Sequence, residues 1–233
     1  MTTDVDLLAQ RISNDLGELA DVFSEIFAIE ADDPLRFDFS TLTVSPITEF
    51  KKYHGANVSI TAFLDRTKIA VSIDVGFGDV VYPGRVEMVF PVIFNNDAPR
   101  IYAYSLCSSV AEKFEAIVSL AYDNSRFKDF YDLYVVSKTH DFDGAELSEA
   151  MKETFVNRHT SLSEIVAFEE GFADDPLRQS RWKSFVTKKK PVLPVTMHEA
   201  ILQSQSFLGP VAEAVKNGRV MQGKWSHEQQ QWV

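Results

Sequence analysis

NSRFKDFYDLYVV, Asn124 to Val136, reads as a helix that is apolar nearly all round. At about 100° per residue, Lys128, Asp129 and Asp132 share one sector roughly 100° wide, while Phe127, Phe130, Tyr131, Leu133, Tyr134 and Val135 fill the remainder. So greasy a helix belongs in an interior. Its polar wedge then faces either a small solvated gap or a charged group inside the protein, because ionised side chains are rarely buried without partners. The partner has to be sought elsewhere in the chain.

One helix upstream offers a candidate. Ser108 to Tyr122 carries Val110, Phe114, Ile117, Val118 and Ala121 as a core stripe, with Glu112 and Glu115 assigned to the outer face. Lys113 falls between Val110 and Ile117 instead. Either it snorkels to water or it meets an anion, a carboxylate or a nucleotide phosphate. A short loop joins the two helices, which allows Lys113 and the wedge of Lys128, Asp129 and Asp132 to converge on one cleft.

Further upstream the period changes from helical to two. LRFDFSTLTV (35–44), NVSITAFL (57–64), KIAVSIDV (68–75) and VEMVFPVIF (86–94) read as strands of a mostly antiparallel or mixed sheet, and RIYAYSL (100–106) as one more. Before them, Thr2 to Leu7 alternates as a short strand, and Leu8, Ile12, Leu16, Leu19, Phe23, Ile26 and Phe27 recur at helical spacing. Downstream, residues 144–158, segments after Ser161 broken at Asp174-Asp175-Pro176 and at Lys188–Pro191, and Met197 to Val215 are helical, while the final GKWSHEQQQWV shows no clear pattern. The expected fold is α+β: a mixed sheet with flanking helices over 1–104, followed by a helical half over 105–233.

Two places on the strands concentrate acid. In TTDVDLL, Asp4 and Asp6 are two apart, so both leave one face while Val5 and Leu7 leave the other. Paired carboxylates repel unless a cation sits between them, and hard oxygen ligands suit Mg²⁺; the alternative is two solvated residues near a chain end. On KIAVSIDV, Lys68, Ala70, Ser72 and Asp74 share a face, making Asp74 either a third metal-facing carboxylate or an exposed strand residue. Gly76, Gly78 and Asp79 lack the spacing of a nucleotide fingerprint and suit a turn or bulge that ends the strand.

Composition narrows the function classes. With 45% hydrophobic and 12% aromatic residues the chain can build a substantial core, and a formal net charge of −11 argues against a non-specific nucleic-acid coat. A single cysteine allows no internal disulfide and no cysteine-based zinc site. The opening Met-Thr-Thr-Asp-Val-Asp has neither the basic nor the apolar region of a signal peptide, and no apolar run is long enough to span a bilayer. A cytoplasmic protein without a membrane partner is expected.

Taken in order, TTDVDLL, VSIDVGFGD, VAEKFEAIVSL and SRFKDFYDLYVV resemble the motifs of the AbiEii/AbiGii family, nucleotidyltransferase toxins of abortive-infection toxin–antitoxin systems. The resemblance runs from residue 1 to about Arg158 and implies a nucleotidyltransferase-like sheet. It also implies Asp4 and Asp6 as Mg²⁺ ligands, with Asp74 as the third carboxylate that nucleotidyltransferase folds carry. Lys113 would contact the nucleoside triphosphate, and Lys128, Asp129 and Asp132 would complete the site. The implied acceptor is an RNA, such as tRNA, or a protein hydroxyl, and the implied partner is a cognate antitoxin. For an RNA acceptor, Arg178, Arg181, Lys183, Lys188, Lys189 and Lys190 with Trp182 and Phe185 form a candidate docking segment; otherwise they are a solvated helix end and linker.

There are two departures from the family pattern, one serious and one mild. The family carries a helix with a Gly-Ser element before Asp-x-Asp, whereas only Met1, Thr2 and Thr3 stand before Asp4, so the nucleotide-cradling backbone is expected to be missing. Phe114 replaces the commoner leucine. Two functions follow: a Mg²⁺-dependent nucleotidyltransferase toxin, or a truncated, inactive relative that binds only nucleotide or partner and keeps its charged cluster as a buried ion-pair network.

Overall fold

The computed structural model describes residues 5–31, 33–47, 55–92, 97–190 and 192–233. The chain forms two compact units, Met1–Asp79 and Val80–Val233.

In the first unit, β1 (Val5–Ala9), α1 (Leu16–Phe27), β2 (Leu35–Ile47), β3 (Gly55–Leu64) and β4 (Thr67–Phe77) follow in sequence. The sheet order is β1-β4-β3-β2, with β1 parallel to β4 and the other pairs antiparallel, so the sheet is mixed as expected. Alternation places Ala56, Val58, Ile73 and Val75 on the apolar side, where Leu19 and Phe23 of α1 are buried with them. Each fully buried Val, Leu or Phe among them contributes about 1.5–3 kcal/mol. The other side carries Asn57, Ser59, Ser72 and Asp74. Helix α1 starts eight residues later than the apolar periodicity suggested. Asp15 caps it by accepting from the Gly17 and Glu18 amides, and Arg11 before it sits at φ 61°, outside helical space.

The second unit is mainly helical: α2 (Leu106–Leu120), α3 (Phe127–Thr139), α4 (Gly144–Asn157), α5 (Pro176–Lys189) and α6 (Met197–Lys216). Strands β5 (Val86–Val89) and β6 (Arg100–Ala103) pair only with each other among the described residues, although their alternating sequence resembles that of the first sheet. The tail without a legible pattern forms β8 (Lys224–Ser226) and β9 (Gln231–Trp232), which extend β7 (Phe142–Asp143) into a small sheet. Trp225, fully buried, anchors it: its ring packs 5.0 Å from that of Phe207 and its Nε1 donates to the Ser137 carbonyl at 2.8 Å. Ser105 caps α2 through the Ser108 amide, and Thr196 with Glu199 forms a capping box on α6. Among the described residues, no helix is long and apolar enough to cross a membrane.

Candidate functional site

Helices α2 and α3 do bring their charges together. Lys113 Nζ donates to Asp132 Oδ2 at 2.7 Å and to Asp129 Oδ1 at 3.3 Å. Lys128, one helical turn before Asp132, reaches the same Oδ2 at 3.1 Å. The polar wedge of α3 therefore has its partner on α2, and of the two readings of Lys113 the ionic one holds. Burial alone would lower the Lys113 pKa, but Asp129 and Asp132 outweigh it and raise the value above the ordinary 10.5. Lys113 is a fixed cation at any physiological pH.

Sequence reasoning overlooked a third cation. Arg126 Nε lies 2.6 Å from Asp129 Oδ2, an ionic contact in which the N–H does not point at the oxygen. Asp129 is thus charge-compensated on both oxygens, while Oδ2 accepts no hydrogen bond and the side chain is only 3% exposed. Nearby, the buried Asn124 accepts from the Arg126 amide through Oδ1, and its Nδ2 finds no acceptor among the described residues. The available signal was position: Arg126 stands three residues before Asp129, the spacing of neighbours on a helix. Counted among the described residues, Lys113, Arg126 and Lys128 face Asp129 and Asp132, a surplus of one positive charge in these pairs.

A second ionic group on α2 overturns an expectation. Glu115, assigned to the outer face, is 1% exposed. Arg158 Nη1 donates to its Oε2 at 2.9 Å, Thr160 donates its hydroxyl to Oε1, and Arg158 Nη2 lies 3.5 Å from Glu112 Oε2. Helix α2 is buried on most of its circumference because α3 and α4 both pack on it, so a single-faced reading fails there. The partner, Arg158, lies 43 residues away and no local spacing announces it.

In the first unit, Asp6 and Asp74 are register partners on the parallel strands β1 and β4. They leave the same face of the sheet, and neighbouring strands are about 4.8 Å apart. Asp4 lies outside the described residues. Among the described residues no group of three or more His, Cys, Asp or Glu side chains is poised for a metal.

The basic segment near α5 is smaller than the sequence suggested. Arg178 is turned inward, donating to the Phe172 carbonyl at 3.1 Å and the Tyr122 carbonyl at 2.9 Å while stacking 3.8 Å over the Phe172 ring. Trp182 is buried, its Nε1 donating to the Val195 carbonyl, and Phe185 packs on Trp182 and Tyr131. Both belong to the core of the helical unit. Arg181, Lys183, Lys188, Lys189 and Lys190 remain exposed.

A family profile described as Nucleotidyl transferase AbiEii toxin, Type IV TA system, matches residues 1–204. No curated protein matches the chain. Two solved structures share a remote likeness. One is JHP933 from Helicobacter pylori, at 14% identity and a TM-score of 0.42, over 94% of this chain and 77% of that one. The other, described as a candidate nucleotidyltransferase from H. pylori, stands at 14% identity and a TM-score of 0.44, over 93% and 79%. The match over residues 1–204 settles membership: the chain belongs to the AbiEii nucleotidyl transferase toxin family of type IV toxin–antitoxin systems.

Proposed function

We propose that this member of the AbiEii family transfers a nucleotide from a nucleoside triphosphate to an acceptor hydroxyl, with RNA as the acceptor class, and that the transfer is the toxic activity its cognate antitoxin opposes. One observation supports it above others. Lys113, a fixed cation, is held by Asp129 and Asp132 with its side chain 27% exposed. An ammonium has three N–H donors, and two are directed at those carboxylates. The third is left for a phosphate oxygen.

The division of labour follows from the charges. Asp129 and Asp132 orient Lys113, and Arg126 and Lys128 at the solvent edge bring the cluster to a net positive charge. A triphosphate gains most from a positive group that is already in place, because no reorganisation is then needed as charge moves toward the leaving pyrophosphate. In the first unit, Asp6 and Asp74 supply in-register hard oxygen donors, a set that fits Mg²⁺ and poorly fits softer metals. Those two residues would hold the ion, with Asp4 in the same Asp-Val-Asp stretch as Asp6. Bound there, Mg²⁺ would neutralise phosphate charge and align the in-line displacement. A cytoplasmic site of action accords with the nucleotide substrate.

A second reading is favoured by the same cluster seen from the other side. Lys113, Asp129, Asp132 and Lys128 satisfy one another, as they would in a non-catalytic module that binds nucleotide or a partner. Incubation of the purified chain with each labelled nucleoside triphosphate, Mg²⁺ and total RNA separates the two. Transfer by the wild type that is lost in Lys113→Met and Asp6→Ala, both still folded, supports the enzyme. Nucleotide binding without transfer to RNA or protein supports the module.

A further inference from the structure

On the polar face of the first sheet, a run of hydrogen bonds ends on Asp74. Ser59 Oγ donates to Asn57 Oδ1 at 2.8 Å, and Asn57 Nδ2 donates to Ser72 Oγ at 2.9 Å and to Asp74 Oδ1 at 2.6 Å. The register explains why these groups meet. Asn57 pairs with Asp74 and Ser59 with Ser72 across β3 and β4, and Asp6 pairs with Asp74 from the other side on β1. Five polar side chains from three strands therefore share one face, with Asp74 at the junction.

We infer that Asn57 is the positioning residue of the metal site, fixing the Asp74 carboxylate so that Oδ2 is presented to a divalent cation shared with Asp6. The inference rests on the reading of Asp6 and Asp74 as metal ligands.

Its physics is that of an outer-shell partner. A carboxylate on a strand rotates about two bonds, and a ligand that must stop rotating to bind loses affinity. Asn57 removes that freedom beforehand. Its amide can serve only in the observed sense, because the carbonyl end is taken by the Ser59 hydroxyl and the donor end must face the carboxylate. Ser72 accepts the second amide proton, which keeps the amide plane from swinging toward Asp6. With Oδ1 engaged, Oδ2 accepts no hydrogen bond among the described residues. The two acids stand in register with one of them locked.

The neutrality of Asn57 matters as much as its geometry. A lysine or arginine in its place would hold Asp74 equally well but would repel the cation. An amide donates without adding charge.

The test uses Mn²⁺ as the probe on the full chain, followed by electron paramagnetic resonance and calorimetric titration. Asn57→Leu keeps the volume and removes the donor. It is expected to weaken Mn²⁺ binding about 10- to 100-fold and to broaden the Mn²⁺ resonance, with the metal-free melting temperature unchanged. Ser59→Ala, which frees only the amide's carbonyl end, is expected to shift binding in the same direction by less. Asp74→Asn serves as the reference for loss of a ligand. If Asp74→Asn abolishes binding while Asn57→Leu and Ser59→Ala bind as the wild type does, the positioning role is overturned and the metal reading survives. If the wild type itself binds no Mn²⁺, or Asp74→Asn binds it unchanged, the metal reading fails and the inference with it. Should Asn57→Leu melt early, Ser59→Ala alone decides: wild-type affinity and lineshape there overturn the proposal.

Discussion

Helix α2 carries two ionic groups two residues apart, and they are built on opposite principles. Around Glu115, Arg158 and Thr160 close every approach, and the acid is 1% exposed. Around Lys113, the side chain is 27% exposed and, among the described residues, cations outnumber acids. A sealed, satisfied network holds helices; an open one with surplus charge has capacity left for a ligand. The difference teaches which of two buried charge clusters to read as structural, something ion-pair counts alone would not decide.

The sharpest way to break this comparison is Arg158→Leu. It strands Glu115 in the core without its cation, and removal of one partner from a buried pair costs on the order of 3–5 kcal/mol. The loss is read as a lowered denaturant midpoint. It is read independently as labelling of Cys107, the chain's single cysteine, whose thiol burial and then Glu146 and Asp143 push up to about 12. In the folded protein that thiol should resist iodoacetamide at neutral pH. A midpoint unchanged by Arg158→Leu would remove the structural reading of the sealed group.

Lys113→Met comes next. Asp129 keeps Arg126 and Asp132 keeps Lys128, so the stability loss should be smaller, about 1–3 kcal/mol. Nucleotide transfer should fall by roughly 10²-fold or more, the scale seen when one preorganised donor is removed from developing charge. Equal damage to stability from Lys113→Met and Arg158→Leu, with transfer retained in the former, would erase the contrast.

A titration sharpens the same point. Because the Lys113 pKa is raised in the folded protein, its ion pairs contribute stability at every pH below the unfolded value and lose it as pH climbs through the folded one. The stability gap between wild type and Lys113→Met should therefore be constant through neutral pH and shrink above the ordinary lysine value of 10.5. Denaturant midpoints at about pH 8 and about pH 11 measure it. A gap that widens in alkali would contradict the raised pKa.

Smallest of all is Lys128→Ala. Its side chain is 51% exposed and its pair with Asp132 is an i,i+4 surface contact, so stability should move by no more than about 0.5 kcal/mol. An effect on nucleotide affinity without one on stability would place Lys128 on the ligand side of the cluster.

Much of the candidate site was legible because it is written in periodicities. Lys113 interrupts an apolar stripe, and Lys128, Asp129 and Asp132 interrupt an apolar circumference; two anomalies joined by one short loop point at each other. Two-residue alternation put Asp6 and Asp74 each on a strand face, but only the β1–β4 register set them side by side. Arg126 was missed although its spacing to Asp129 was in view, and Asn57 because an asparagine on an alternating strand carries no signal until β4 is laid beside β3. Glu115 was misplaced because the reading gave α2 one buried side when it has several.

By itself the sequence determined the local periods, and through them the strands of the first sheet and the helical second half, while its motifs in their order pointed to the family. Those properties depend on residues a few positions apart, where 3.6- and two-residue repeats dictate which side chains share a face. Only the tertiary structure decided that β5 and β6 form a sheet of their own, that the patternless tail closes a strand trio on Trp225, and that Arg158 seals Glu115. Those choices are made between segments far apart in the chain, by whichever packing buries the most apolar surface while leaving every buried charge a partner, and no local repeat records that competition.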